Sequence, residues 1–153
     1  MRWLELKIPP LIVVIGFALM MFGAYWLLPA ANFVMPAQPY FSLFAAGVGI
    51  LAVVSGFLAF RRSGTTVDPM SPDKASSVVR SGIYRITRNP MYLGMLLILT
   101  AWSLYLANAL SILLLAGFVG YMTQFQIKAE ERILRSKFGK DYEELLSSVR
   151  RWI

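Results

Sequence analysis

The chain contains neither cysteine nor histidine among its 153 residues. The absence of cysteine excludes disulfides, a thiolate nucleophile and a cysteine metal site. The absence of histidine removes the commonest general base and the commonest zinc ligand. No metal site is therefore predicted, and the sequence offers no convincing general base, so the catalytic residues are left open.

Charge is missing from two long runs, residues 8–60 and 89–127, which contain no Asp, Glu, Lys or Arg. About 20 apolar residues cross a bilayer as a helix. The first run predicts two spans, roughly 8–28 and 40–60, and the second predicts a tight hairpin of spans 90–107 and 109–127. A cleaved signal peptide is the alternative for the first span, but its apolar stretch is too long. The predicted fold is all-α, a polytopic membrane protein with four transmembrane helices.

The basic residues lie on one side of this predicted topology. All fifteen Lys and Arg residues fall within residues 2–7, 61–88 and 128–151, and the net charge is +7. Because basic segments stay on the cytoplasmic side, both termini are expected in the cytoplasm, with a bacterial inner membrane as the location. This basic face suits anionic lipid headgroups or an anionic ligand. Nucleic acid is not expected as a partner, because most of the chain is membrane-embedded.

The chain is predicted to form one domain, with two spans in residues 1–62 and the remaining elements in 63–153. Glycines at 16, 23, 47, 49 and 56 predict close helix packing within the two spans. The polar residues 61–90 include regularly placed apolar side chains, which predicts an ordered loop. Apolar residues at 134, 138, 142, 145, 146 and 149 have helical spacing, so a cytosolic C-terminal amphipathic helix interrupted at Gly139 is expected. A helix lying on the membrane surface is the other interpretation.

The stretch "GIYRITRNPMYLG", residues 82–94, predicts a helix start at the membrane boundary. Pro90 fits the first helical turn and Asn89 is a favourable N-cap before it. Such a start attracts anions, and Arg88 would strengthen a site for a carboxylate or phosphate. Arg85 is interpreted as a topology signal.

A pair of carboxylates, Glu130 and Glu131, follows the fourth predicted span. Glu131 lies four residues before Arg135, a spacing typical of a helical ion pair, whereas Glu130 lies on another face and could bind hydroxyl groups such as a ribose diol. If spans three and four form a hairpin, Asn89 and Glu130 flank one pocket with a cationic and an anionic end. Tyr84, Tyr92 and Tyr121 are candidates to line it, since aromatic faces attract onium cations; their placement at a membrane interface alone would also be ordinary.

The segments "SGIYRITRNPMYLG" and "EERIL…KFGKDYEEL…VRRWI" resemble the isoprenylcysteine carboxyl methyltransferase family, and more broadly the phospholipid methyltransferase-like membrane enzymes. The resemblance runs from about Thr65 to Ile153. It implies S-adenosyl-L-methionine as cofactor, and a lipidic or small amphipathic acceptor entering from the bilayer, with carboxylate O-methylation of an isoprenylcysteine-type substrate as the family activity. The cofactor contacts that it implies are Ser76, Ser77, Val78, Val79, Tyr84, Asn89, Pro90, Met91, Tyr92 and Glu130. The charges beside them add Arg88 and Glu131 to the predicted cofactor site.

Two positions depart from the family pattern. Members that act on prenylated cysteine have His where Asn89 stands, and an Arg facing the substrate carboxylate where Gln126 stands. Asn89 can still form hydrogen bonds to a cofactor, and Gln126 becomes the predicted substrate-binding residue. The alternatives to a methyltransferase are an NADPH-dependent membrane enzyme resembling the sterol reductases, and a non-catalytic membrane scaffold that has kept the fold.

Overall fold

A computed structural model describes residues 4–64 and 68–153; Arg2 and Thr65, which enter the sequence-based predictions, lie outside them. The described residues form helices joined by short loops, without a β-strand among them. The α-helices are α1 (Pro10–Leu27), α2 (Gln38–Arg62), α3 (Pro90–Leu106), α4 (Ala109–Tyr121), α5 (Lys128–Phe138) and α6 (Lys140–Ser148). The all-α prediction is confirmed.

Three helical stretches are long and apolar enough to cross a membrane: α1, α2 and the continuous stretch Ala109–Phe138. The fourth predicted span corresponds to the first part of this last stretch, and α3 is an apolar helix of 17 residues. The helix does not end at residue 127, where the fourth predicted span ends. It continues through one π-helical turn, Met122–Ile127, directly into α5.

Helices α2 and α3 pack with their backbones unusually close. A Cβ atom added at Gly94 would lie 2.6 Å from the Gly49 carbonyl oxygen, and one at Gly56 would lie 2.9 Å from Met91 Cγ. The predicted role of glycine in helix packing is therefore confirmed at residues 49 and 56. It is wrong for Gly16, Gly23 and Gly47, where nothing lies within 4 Å of the added Cβ.

The loops between α1 and α2 and between α3 and α4 meet at one end of the helices, which we call the uncharged end (residues 28–38 and 105–109). Asn108 caps α4, because its Oδ1 accepts a hydrogen bond of 3.1 Å from the Ser111 N–H. Its Nδ2 donates to Asn32 Oδ1 at 2.7 Å, and the Phe33 N–H donates to the Ala107 carbonyl at 2.8 Å. The tight hairpin predicted at Asn108 is confirmed.

The opposite end, which we call the pocket end, comprises residues 61–64, 68–90 and 126–152. Short 3₁₀ turns at Pro72–Lys74 and Gly82–Arg85 give the loop before α3 an ordered path, as predicted. Gly139 (φ 53°) separates α5 from α6, which confirms the predicted interruption. Residues 149–152, the C-terminal strap, return to the start of α3, where the Arg88 N–H donates to the Arg150 carbonyl at 3.1 Å.

Candidate functional site

A pocket of about 840 Å³, counted out to its open mouth, occupies the pocket end. Its walls come from the end of α2, the loop before α3, the start of α3, and helices α5 and α6. The polar lining consists of Asp68, Ser77, Tyr84, Arg88, Asn89, Tyr92, Glu130, Glu131 and Tyr142.

The start of α3 forms one wall of this pocket. The helix begins at Pro90, as predicted, and its first intrahelical bond runs from the Leu93 N–H to the Asn89 carbonyl at 2.9 Å. The predicted capping by the Asn89 side chain is wrong: Asn89 Nδ2 instead donates to the Arg151 carbonyl at 2.9 Å, and an amide nitrogen cannot accept from the helix. Asn89 therefore anchors the C-terminal strap beside the pocket.

Glu131 joins two arginines in a partly buried ion cluster. Its carboxylate accepts two hydrogen bonds from Arg151, of 3.0 and 2.7 Å, and lies 3.3 Å from a terminal nitrogen of Arg88. These partners replace the predicted helical pair with Arg135, which bonds Glu143 instead. The two cations and one anion leave this side of the pocket with an excess positive charge. The bonds to Glu131 also raise the pKa of Arg151, so that it stays protonated.

The Arg88 side chain is only 10% exposed. Its Nε atom is buried and has no hydrogen-bond partner within residues 4–64 and 68–153. A buried donor without a partner costs on the order of 1–3 kcal/mol, more when it belongs to a charged group. Since Arg88 lines the pocket, the positive charge of its guanidinium suits an anionic group of a ligand.

Glu130 lies on the next wall, and its Oε1 accepts two hydrogen bonds. One comes from the Tyr92 hydroxyl, and the other comes from Gln126 Nε2 at 2.6 Å. Across the described part of the chain, no partner is found for the second oxygen, Oε2. Glu130 thus presents a fixed carboxylate with one free oxygen towards the pocket.

Two tyrosines outside the spans remain protonated hydroxyls. Burial, followed by the nearby charge of Glu130, raises the pKa of Tyr84 well above its ordinary value. Burial and the charge of Glu131 act in the same direction on the pKa of Tyr142. The Tyr84 ring packs edge-on against Phe60 at 5.4 Å between centroids. The pocket therefore has aromatic walls that carry neutral hydroxyl groups.

Asp68 adds a carboxylate that the sequence-based prediction missed. Its Oδ1 accepts a 2.9 Å hydrogen bond from the Met70 N–H, and this bond is the largest cause that lowers the pKa of Asp68. Asp68 is consequently ionised at neutral pH. Asp68 thus adds an anionic group to the pocket lining.

The structure brings most of the predicted site residues to this one pocket. Ten of them line it: Ser77, Val78, Val79, Tyr84, Arg88, Asn89, Met91, Tyr92, Glu130 and Glu131. Ser76, Pro90 and Gln126 are not part of the lining: Ser76 is exposed on the loop, while Pro90 and Gln126 are buried.

Tyr121 lies away from the pocket, with its ring 5.0 Å from that of Phe125, so the prediction that it lines the pocket is wrong. Asp68, Tyr142 and Arg151 were missed. Tyr142 and Arg151 lie within the C-terminal segments quoted for the family resemblance, which was the available signal for them. Asp68 lies in a loop, and hydrophobic periodicity does not predict the conformation of a loop.

The fold and this pocket define an integral membrane protein of apolar helices, with a mixed-charge site at one end. The family model for phospholipid methyltransferase matches residues 37–141, so the chain belongs to the phospholipid methyltransferase family. The match begins before α2, so it extends further towards the N-terminus than the resemblance found from motifs, and it includes the second predicted span.

Individual relatives were also compared. An uncharacterized protein of Haemophilus influenzae is 49% identical over 63 residues, which is 41% of this chain and 100% of that protein. The probable protein-S-isoprenylcysteine O-methyltransferases of Oryza sativa subsp. indica and subsp. japonica are 28% identical over 113 residues, or 69% of this chain. The chain covers 59% of the length of these rice proteins. No solved structure matches the chain.

Proposed function

We propose that this protein is an S-adenosyl-L-methionine-dependent methyltransferase that modifies a lipid-like or small amphipathic acceptor. The observation that supports this most is the charge arrangement of the pocket, which lies largely within the residues matched by the family model. The cofactor has a carboxylate, a ribose diol and a sulfonium. The pocket offers a cation, a carboxylate with a free oxygen, and aromatic walls.

The residues present fit this cofactor at three points. The Arg88 guanidinium would meet the carboxylate beside Asn89 and the first N–H groups of α3. Glu130 Oε2 would accept from the ribose hydroxyls, as the family resemblance implies. Tyr84 and Tyr92 would face the sulfonium, since aromatic rings attract onium groups. Ser77, Val78, Val79 and Met91 would enclose the remaining surface.

When bound, the cofactor supplies an electrophilic methyl group for direct displacement by the acceptor. The protein's contribution is then alignment and exclusion of water, which together can lower a barrier by about 7–11 kcal/mol. Neither task requires cysteine or histidine. The exposed apolar faces of α1 and α2 suit lipid contact, and we infer that the acceptor arrives from the bilayer.

Isothermal titration calorimetry on the detergent-purified protein tests this proposal. S-adenosyl-L-methionine and S-adenosylhomocysteine are both expected to bind, the first more tightly because only it carries the sulfonium, and NADPH is expected not to bind. Binding of NADPH alone would support a reductase and would contradict the methyltransferase. If none of the three binds, the non-catalytic scaffold is the better interpretation.

We further propose four membrane crossings, with α3 as the shortest and both termini in the cytoplasm. Because the chain contains no cysteine, single cysteines can be introduced into an unmodified background. Val34→Cys and Ala109→Cys, both at exposed sites of the uncharged end, should react with a membrane-impermeant maleimide added to intact cells. Ser147→Cys on α6 should react only after permeabilisation. Labelling of Ser147→Cys in intact cells would contradict the orientation, and protection of Ala109→Cys alone would contradict the count of four.

A further inference from the structure

Gln126 makes contacts that its position in the sequence does not suggest. It belongs to the π-helical turn Met122–Ile127 and is only 3% exposed. Its Nε2 donates to the Pro69 carbonyl at 2.8 Å and to Glu130 Oε1 at 2.6 Å. The Pro69 carbonyl has no proton to offer, so the amide nitrogen, and not the amide oxygen, must face it. The two hydrogens of one NH₂ group thus connect two separate parts of the chain.

These two parts are neighbouring portions of the lining of the same pocket. Glu130 belongs to α5, whereas Asp68 and Pro69 belong to the loop that precedes α3, and all three residues line the pocket. The Met70 N–H fixes the Asp68 carboxylate within the same loop turn. Holding the Pro69 carbonyl therefore also holds the Asp68 carboxylate in its place relative to Glu130.

The same bond determines which oxygen of Glu130 is available. Oε1 accepts from both Gln126 and the Tyr92 hydroxyl, so the carboxylate cannot rotate without breaking two hydrogen bonds. Oε2 is left for a ligand. An interruption of the regular helix by a π turn is frequent at functional sites, and here that turn contains the side chain that orients Glu130.

We propose that Gln126 is a positioning residue: it ties the Asp68–Pro69 turn to Glu130 and so sets the spacing and orientation of the pocket's two carboxylates. The ligand whose affinity depends on this spacing is one with a cationic centre and vicinal hydroxyls, such as S-adenosylhomocysteine with its ammonium group and ribose diol. This assignment rests on the proposed function. It also differs from the predicted direct contact of Gln126 with the substrate, because Gln126 is not part of the pocket lining.

The experiment compares Gln126→Met, which has a similar shape but no donors, with the matched control Gln124→Met. Gln124 is exposed on the same turn and accepts a hydrogen bond only from Lys128, at 2.9 Å. Two quantities are measured in detergent: hydrogen exchange of peptides covering residues 70–79 without ligand, and the affinity for S-adenosylhomocysteine by calorimetry. For Gln126→Met, we expect exchange about ten-fold faster and affinity about ten-fold weaker, consistent with the loss of two buried hydrogen bonds. The control should match the unmodified protein in both.

Two further variants separate positioning from packing. Gln126→Glu keeps the shape but places a carboxylate against Glu130 and a carbonyl, so it should weaken binding more than Gln126→Met. Gln126→Lys keeps N–H donors on an unbranched side chain and should restore slow exchange at residues 70–79. If only packing mattered, the Met and Glu variants would behave alike.

Each outcome decides the proposal. Unchanged exchange with weaker binding would overturn the tether in favour of direct ligand contact, and faster exchange with unchanged binding would overturn its effect on the ligand. If even the unmodified protein fails to bind S-adenosylhomocysteine, the proposed function fails. The exchange rates of the ligand-free variants then still decide whether Gln126 holds the loop.

Discussion

The two ends of the helices both contain buried polar groups, but they use them differently. At the uncharged end, Asn108 is fully buried and its amide is bonded to the protein through both its oxygen and its nitrogen. At the pocket end, Arg88 Nε and Glu130 Oε2 have no partner within the described residues, although both side chains are largely enclosed. Polar groups that satisfy one another stabilise a fold. Buried atoms without a partner among the described residues also occur away from the pocket, at Ser42 Oγ and Ser103 Oγ, so it is the place of Arg88 and Glu130 in the pocket lining that points to a ligand.

The two ends also differ in what closes them. Short loops close the uncharged end, and their contacts join residues 28–38 to 105–109. The pocket end is closed by segments far apart in sequence, namely the loop before α3, helices α5 and α6, and the C-terminal strap. The first arrangement can be rigid, whereas the second can admit a molecule between its parts.

The largest effect is expected from a change that disturbs both ends at once. Gly94→Ala places a Cβ 2.6 Å from the Gly49 carbonyl oxygen, so α2 and α3 must separate. We expect a loss of about 3 kcal/mol of stability, at the upper end of overpacking effects, together with weaker S-adenosylhomocysteine binding, because Phe60 at the end of α2 lines the pocket. Thermal unfolding in detergent and calorimetry measure the two effects.

Gly120→Ala is the matched control for this change. Gly120 also lies in an apolar helix, but nothing is within 4 Å of its added Cβ. Alanine there should be neutral or stabilise by up to about 1 kcal/mol through helix propensity. Equal destabilisation by both variants would show that the contact between α2 and α3 is not the cause of the loss.

A change restricted to the pocket end should alter binding with little effect on stability. Glu130→Ala removes the carboxylate that Tyr92 and Gln126 hold, and affinity for S-adenosylhomocysteine is expected to fall about 100-fold, the loss of about two charge-assisted hydrogen bonds. The midpoint of thermal unfolding should change little, because removing a buried carboxylate also removes its desolvation cost. Glu144→Ala, at an exposed ion pair with Arg80, should leave both quantities unchanged. Wild-type affinity in Glu130→Ala would mean that the site is misplaced.

A change restricted to the uncharged end should do the reverse, and by a smaller amount. Asn108→Ala removes the cap of α4 and the bond to Asn32, at a cost of about 2 kcal/mol. Affinity for S-adenosylhomocysteine should stay within two-fold of the unmodified protein, a tolerance of about 0.4 kcal/mol. A parallel loss of affinity would contradict the separation of the two ends.

Local sequence signals predicted the elements well. The two charge-free runs contain α1 to α4, Asn89-Pro90 marks the start of α3, and Gly139 separates α5 from α6. The hairpin at Asn108 then brings residues 89 and 130 to the same pocket, because two antiparallel helices of similar length return the chain to where it started. Each of these features depends on neighbours in the sequence or on simple chain geometry.

The contacts that complete the pocket were not predictable in this way. The Asn89 side chain fits an N-cap by type, yet it donates to a carbonyl 62 residues away. Glu131 has an arginine at helical spacing, yet it pairs with Arg151 and Arg88. The residue types of the π turn do not predict it. This turn contains Gln126, which donates a hydrogen bond to the Pro69 carbonyl in the loop before α3. Long-range partners in irregular segments depend on the folded arrangement as a whole, which hydrophobic periodicity does not report.

The two ends of the helices are completed at different times during synthesis, because the C-terminal strap follows the uncharged end in the chain. Asn32, the partner of Asn108, precedes it in the chain and is synthesised first. Arg88 and Asn89 instead bond to Arg150 and Arg151, which are synthesised later. Arg150 follows Asn108 by 42 positions (150 − 108), which corresponds to about 2–8 seconds at 5–20 residues per second. During that interval all residues of the uncharged end have been synthesised, but the strap that bonds the start of α3 has not. A molecule that needs the completed pocket can therefore bind only after the strap has been made, so ligand binding reports that the strap is in place.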